Sequence, residues 1–290
     1  MPVTYSPLRY PGGKTAIYPM MSSIIQNNSL KGCKYAEPYA GGGGLALALL
    51  FGGFANEIHL NDLDRSIWST WFSVLHDTEA FIDKIKNTEV TIEEWHKQRD
   101  IQNNKLSADV LELGFSTFFL NRTNRSGIIL KAGVIGGLKQ EGNYKLNCRF
   151  NKDDLIKKIL RIKENKDLIK IYNEDAISFI TKIDNNDNKS DVFMYIDPPY
   201  FEKGASLYTN FYNEDDHASL SKVISSIKMP WVLTYDNAEK IKKLYSKKET
   251  FEFSLNYSAA KKRVGTELLI TCDGLNIPPE LMGGKLIKVS

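Results

Sequence analysis

Apolar positions along the chain fall into two patterns. Val192-Phe193-Met194-Tyr195-Ile196 is an unbroken run of five, neither alternating nor helix-periodic, which predicts a central parallel strand covered on both faces. Shorter apolar runs over residues 34–37, 57–62, 169–175 and 231–236 predict further strands, and 250–255 with 267–271 predict two closing antiparallel ones. Spacings of three and four predict helices over 16–26, 45–50, 67–75, 79–86, 92–102, 111–120, 153–164, 176–183, 217–227 and 238–245. Strands alternating with helices define an α/β chain of the nucleotide-binding, Rossmann-like kind. The alternation lapses for about a hundred residues after position 62, a stretch that reads as an inserted, mainly helical segment. Trp68, Trp71, Phe72 and Trp95 recur there at helical spacing and read as core before base-stacking platforms. Glycines at 127, 133, 136, 137 and 142 break short apolar runs and predict a loop or hairpin within it. The expected organisation is a first catalytic part over 1–76, an insertion over 77–167 and a second catalytic part over 168–290.

The chemistry gathers where the predicted strands end. The run of five passes directly into Asp197-Pro198-Pro199-Tyr200, and in open α/β sheets ligands sit beyond the carboxyl ends of strands. Prolines lack an N–H, so this turn offers acceptors more than donors. A carboxylate, free carbonyls and an aromatic face suit a planar group carrying an NH2, such as a nucleobase amine. Two acceptors gripping the hydrogens of that weakly nucleophilic amine favour the tetrahedral nitrogen of the transition state.

Glu37-Pro38-Tyr39-Ala40-Gly41-Gly42-Gly43-Gly44 reads as a strand end and glycine turn leading into a helix, and Gly41, Gly43 and Ala46 match G-x-G-x-x-A. Asp62 ends the next strand and is placed to hydrogen-bond a ribose. Together they imply an adenosine cofactor. Glu37 ahead of the glycines separates a nicotinamide dinucleotide from S-adenosylmethionine, since a carboxylate there repels the pyrophosphate of the first and tolerates the sulfonium or ammonium of the second. Gly13-Lys14-Thr15 echoes a phosphate-binding loop, but that motif needs glycine at position 8, where Leu8 stands.

Composition adds bounds. The 290 residues are 42% hydrophobic and 25% charged, an ordinary globular balance with no membrane-length apolar run. Three dispersed cysteines, with no C-x-x-C, fit a reducing cytoplasm, and four scattered histidines carry no zinc spacing, so no metal is expected. No signal peptide is evident at the start. The net charge is only +3, yet residues 121–149 hold Arg122, Arg125, Lys131, Lys139, Lys145 and Arg149 against the single acid Glu141. A basic segment on a near-neutral body suits a phosphate-contacting surface.

In this order the motifs resemble the DNA adenine-N6 methyltransferases, the Dam-like amino-methyltransferases of alpha order. The resemblance rests on Arg9-Tyr10-Pro11-Gly12-Gly13-Lys14, Glu37-Pro38-Tyr39-Ala40-Gly41, Asn61-Asp62, the segments 121–127 and 143–151, Asp197-Pro198-Pro199-Tyr200 and Glu267-Leu268-Leu269-Ile270. It implies a Rossmann-like methyltransferase sheet with an inserted target-recognition domain carrying a hairpin. It also implies S-adenosylmethionine as donor, S-adenosylhomocysteine as product, and double-stranded DNA as substrate, with a cognate restriction endonuclease as a further partner. Carried over, the cofactor would be held by Tyr10, Lys14, Glu37, Pro38, Gly41, Gly43, Asp62, Asp175 and Asp197. Catalysis would fall to Asp197, Pro198, Pro199 and Tyr200. DNA would meet Arg122, Asn124, Arg125, Lys131, Lys139, Lys145 and the basic tip Lys261-Lys262-Arg263. Tyr10 stands where the family often has tryptophan, and the recognition segment departs from the more aromatic hairpin of members acting on GATC. N4-cytosine methylation, methylation of RNA or a protein amide, and a DNA-binding module without activity are the rival readings.

Overall fold

The computed structural model describes residues 4–9, 14–185, 191–202, 212–257, 263–282 and 286–289, leaving aside the side chains of 255–257, 263 and 264. Eight strands, β1 (Cys33–Glu37), β2 (Ala55–Asn61), β3 (Ile169–Tyr172), β4 (Val192–Ile196), β5 (Trp231–Asp236), β6 (Thr250–Tyr257), β7 (Arg263–Thr271) and β8 (Ile287–Lys288), join in one sheet of order β3-β2-β1-β4-β5-β7-β6-β8. The first five in that order pair in parallel. The last three enter antiparallel, β7 slotting between β5 and β6. The chain moves outward from β1 to β2 and β3, then restarts on the other side of β1 with β4. The β1/β4 boundary is therefore the topological switch point at which an open α/β sheet forms its cleft.

The run of five apolar residues in β4 has a simple cause. Phe193 and Tyr195 face one hydrophobic layer, while Val192, Met194 and Ile196 face the other, and all five are buried. Helices α1 (Tyr18–Asn27), α2 (Gly44–Phe51) and α3 (Arg65–Leu75) contribute to the first layer, and α8 (Ala176–Asp184), α9 (Glu214–Ser226) and α10 (Glu239–Leu244) to the second. Helix α2 is apolar on nearly every side, Leu45 through Leu50 being buried, because it lies between the sheet and other helices.

Between β2 and β3 the chain adds α4 (Thr78–Asn87), α5 (Ile92–Asn103), α6 (Val110–Thr123) and α7 (Lys152–Glu164). This helical segment has no core of its own. Phe81, Phe115, Phe118, Phe119 and Phe150 pack ring against ring, and they belong to the same hydrophobic cluster as Ile24, Tyr35 and Leu47 beside the sheet. Trp71 and Trp95 are buried in it, as their spacing predicts.

The expected hairpin is reduced to one antiparallel bridge between Asn124 and Val134. Side-chain amides replace the missing ladder. Asn124 Nδ2 donates to the carbonyls of Ile128 and Ile129, while Gln140 Nε2 donates to those of Ile135 and Gly137 and its Oε1 accepts from the Leu146 N–H. Positive φ at Ser126, Gly127, Gly136, Gly137 and Gln140 curls the chain away from extended geometry. Backbone groups satisfied locally in this way leave nothing for a second strand to pair with. Among the described residues no helix is long and apolar enough to cross a membrane.

Candidate active site

The acceptor-rich turn after β4 and the glycine turn after β1 leave adjacent parallel strands at the same edge. Register places Tyr35 beside Phe193 and Ala36 beside Met194, so Glu37 ends its strand level with Tyr195, two residues before Asp197. Asp197 acts electrostatically on Glu37 and helps raise its pKa. The two turns expected to share a cleft therefore stand side by side at one edge of the sheet.

Asn61 and Asp62 tie the turns that follow the first three strands. Asn61, fully buried at the end of β2, donates through Nδ2 to the carbonyls of Pro38 and Glu174 at 3.0 Å and accepts the Glu174 N–H. One side chain thus ties the turns that follow β1 and β3. Asp62 accepts the Gly41 N–H at 2.9 Å and the Asp64 N–H at 2.9 Å, and Trp71 Nε1 donates to the Gly41 carbonyl at 2.9 Å. Gly41 and Gly43 both have positive φ, and a Cβ at Gly43 would meet the Trp71 ring at 2.8 Å. These glycines serve a tight turn packed on an aromatic. Asp175 caps α8, accepting the N–H groups of Ile177 and Ser178 through Oδ1, and is exposed at the carboxyl end of β3.

Glu37 is buried, accepts the Tyr35 hydroxyl at 3.0 Å and is met by the Ala46 N–H from the first turn of α2. Burial pushes its carboxyl up to about 8. Burial likewise pushes Asp62 up to about 7. The amino end of α2, where a pyrophosphate would bind, is thus filled by a protein carboxylate.

Lys14 anchors the other side. Its Nζ lies 3.3 Å from Asp197 Oδ1, 3.0 Å from Glu267 Oε2 and 2.9 Å from the Tyr200 hydroxyl. The Tyr200 hydroxyl also donates to Glu267 Oε1. Lys14 is held protonated, its pKa raised because the neighbouring Asp197 and Glu267 outweigh desolvation. Asp197 and Glu267 are pushed up by burial, and Lys14 pulls both back down. Thr234 on β5 donates to Asp197 Oδ1 at 2.7 Å, and the Tyr195 hydroxyl lies 2.7 Å from Thr234 Oγ1. Asp236, at the end of β5, accepts the N–H groups of Phe201 and Glu202 and so clamps the chain leaving the proline turn. Oδ1 of Asp197 is occupied twice, while neither its Oδ2 nor the Pro198 carbonyl has a hydrogen bond among the described residues.

Glu267, Thr234 and Asp236 carry no role in the sequence reading. Asp236 has the same signal as Asp62 and Asp197, an acid ending an apolar strand. Glu267 sits opposite Asp236 in the register of β7 on β5, which no spacing in the sequence reveals. Tyr10, Lys261 and Lys262, together with the loop aromatics Tyr208 and Phe211, lie outside the described residues, as does the side chain of Arg263.

The basic segment needs correction in two places. Arg122 is buried, only 8% exposed, with Nε donating to the Pro7 carbonyl. Asn124 is fully buried, its Oδ1 taking the Trp95 indole N–H and its Nδ2 the two loop carbonyls. The last turn of α6 points both inward, so neither presents itself to DNA. Arg125, Lys131, Lys139 and Lys145 are exposed on the loop that follows. A separate concavity of about 430 Å³ opens at the opposite edge of the sheet, beside Lys228, Met229, Trp231 and Cys272, and holds none of the residues above.

Several known proteins are similar to this chain. The type II methyltransferase M.MjaIII of Methanocaldococcus jannaschii is 26% identical over 234 residues, covering 74% of this chain and 77% of that protein. Among solved structures, a putative RNA methyltransferase of Pyrococcus horikoshii covers 91% of this chain and 84% of its own, at 10% identity and a TM-score of 0.42. The rRNA methyltransferase aviRa of Streptomyces viridochromogenes covers 91% and 86% at 10% identity and a TM-score of 0.36. Residues 10–262 match the family model of the D12 class, a span that takes in the lysine turn, the glycine turn, the helical insertion and the proline turn. The chain belongs to the D12 class of N6 adenine-specific DNA methyltransferases, which are enzymes that use S-adenosylmethionine.

Proposed function

We propose that the cleft above β1 and β4 holds S-adenosylmethionine against an adenine extruded from duplex DNA, and that Asp197 and the Pro198 carbonyl grip the N6 amine. When bound, the cofactor supplies an electrophilic methyl group. The donor set fits such a cation. Among the described residues Lys14 is the one cationic side chain in direct contact with Asp197 and Glu267, and it is shared between them, leaving Glu37 with a hydroxyl and a backbone N–H. Carboxyl groups gathered at this place suit a sulfonium and an ammonium. Glu37 and Pro38 border the cofactor together with Gly41 and Gly43, and Asp62 and Asp175 stand on the adenosine side.

The observation that carries the reading is Asp197. Its Oδ1 is fixed by Thr234 at 2.7 Å and Lys14 at 3.3 Å, and Oδ2 is the atom left to accept from the amine together with the Pro198 carbonyl. Two rigid acceptors draw the amine lone pair out of the ring, an electrostatic preorganisation that costs nothing at the moment of transfer. Tyr200 offers its ring to the extruded base, whose removal from the stack costs a few kcal/mol to be offset by DNA contacts. The amine proton leaves after the methyl arrives, so no strong general base is required. Arg125, Lys131, Lys139 and Lys145 supply phosphate contacts beside the cleft. The protein acts in the cytoplasm, and by analogy with its type II relative it is paired with a cognate restriction endonuclease.

The direct test incubates the protein with methyl-labelled S-adenosylmethionine and unmethylated duplex DNA, then digests to nucleosides. Label on N6-methyladenine is expected. Label on N4-methylcytosine alone, or on RNA and not on DNA, overturns the reading. Asp197→Ala is expected to abolish transfer while leaving the thermal melt within a few degrees of wild type.

A further inference from the structure

Glu267 lies 1% exposed on β7, 67 positions beyond Tyr200, yet it touches two residues of the site. Both its oxygens meet the Lys14 ammonium, at 3.0 and 3.2 Å, and Oε1 also accepts the Tyr200 hydroxyl. A buried ammonium beside one carboxylate forms a closed pair, and that carboxylate then has little left to offer another donor. Beside two carboxylates the ammonium is shared. Lys14 is held by Glu267 from one side and approaches only Oδ1 of Asp197 from the other. The same carboxylate fixes the far end of the Tyr200 ring, whose face lies 5.2 Å from Lys14 Nζ.

We propose that Glu267 is a positioning residue for methyl transfer: it draws Lys14 off Asp197, leaving that carboxylate free to accept the adenine amine, and it sets the plane of the Tyr200 ring. The inference rests on the roles given to Asp197 and Tyr200 under the proposed function. Antiparallel β7 is what makes it possible, since the strand brings Glu267 opposite Asp236 at the edge where β4 and β5 end. An isolated buried carboxylate at that place would be costly, and the Lys14 contact offsets the cost.

Glu267→Gln keeps the shape and the amide can still accept from Tyr200, but the charge is gone. Single-turnover methyl transfer is expected to slow by about tenfold or more, with KM for S-adenosylmethionine within about threefold of wild type, because the loss falls on the transition state. Glu267 and Asp197 repel one another, so removing one charge makes the other easier to ionise. The acid limb of the rate profile is therefore expected to move to lower pH, a change that loose packing alone does not produce. Glu267→Asp, which keeps the charge, is expected to leave that limb in place and recover part of the rate. Tyr200→Phe, which loses only the hydroxyl contact, is expected to slow transfer with the limb unmoved. A Glu267→Gln protein with wild-type rate, or one slowed with an unmoved acid limb, overturns the proposal. If that variant does not fold, Tyr200→Phe decides, and a wild-type rate there overturns it. Absence of label on adenine with the wild-type protein would instead sink the proposed function, so the two failures are distinct.

Discussion

Glu37 is where a single residue couples chemistry to pH. Its carboxyl is pushed from 4.5 up to about 8 by burial, so at neutral pH the empty site holds it protonated. Between those values the unfolded chain has lost the proton that the folded chain keeps. Stability should therefore fall as pH rises from 4.5 to about 8 and level off above, and Glu37→Gln should lack that part of the slope. Thermal melts of both proteins across this range check the sign, and parallel curves would refute it. A cationic cofactor favours the ionised form, so binding below pH 8 should release a proton and affinity should rise with pH towards 8. Calorimetry in buffers of different ionisation enthalpy reads that proton directly. Glu37 and Asp197 were legible as site residues because each ends an apolar strand. Glu267 was not, because it is a mid-strand acid whose partners stand more than sixty residues away.

At the scale of the element, α6 and the loop after it divide buried polar side chains from exposed basic ones. Arg122 and Asn124 belong to the same motif as the exposed Arg125, but the last turn of α6 and its C-cap bury both. Asn124→Ala would strand the Trp95 N–H and two loop carbonyls without partners, and should cost about 2–4 kcal/mol of stability in chemical denaturation. Arg122→Ala should likewise lower stability. Lys139→Ala and Lys145→Ala, on exposed positions, should leave stability unchanged and reduce the slope of log affinity against log salt by about 0.9 for each phosphate that is no longer neutralised. An unaltered salt slope in the double lysine variant would remove this loop from the DNA surface. The hairpin expected from glycine spacing failed for a related reason. Glycine and short apolar runs mark turns, but whether a turn is closed by a ladder or by side-chain amides depends on Asn124 and Gln140 reaching carbonyls several residues away.

For the whole molecule the controlling fact is that the hydrophobic cluster on one face of the sheet continues into the insertion. The helices between β2 and β3 bury their phenylalanines in the same cluster as Tyr35 and Leu47, so the chain should melt in a single cooperative transition. Two resolved calorimetric transitions would show instead that the insertion over 77–167 folds as a unit of its own. Seven of the eight strands, their parallel core and the turns that end β1 and β4 were readable in the residues. Each depends on local pattern: apolar runs that need two covered faces, acids and glycines that follow them, prolines that stop a ladder. Tertiary structure alone decided which charged and polar side chains stand beside Asp197 and which turn inward. Burial and partnership come from residues distant in sequence, and only folding brought Lys14, Asp197, Tyr200, Thr234 and Glu267 within hydrogen-bond reach while turning Arg122 and Asn124 away from solvent.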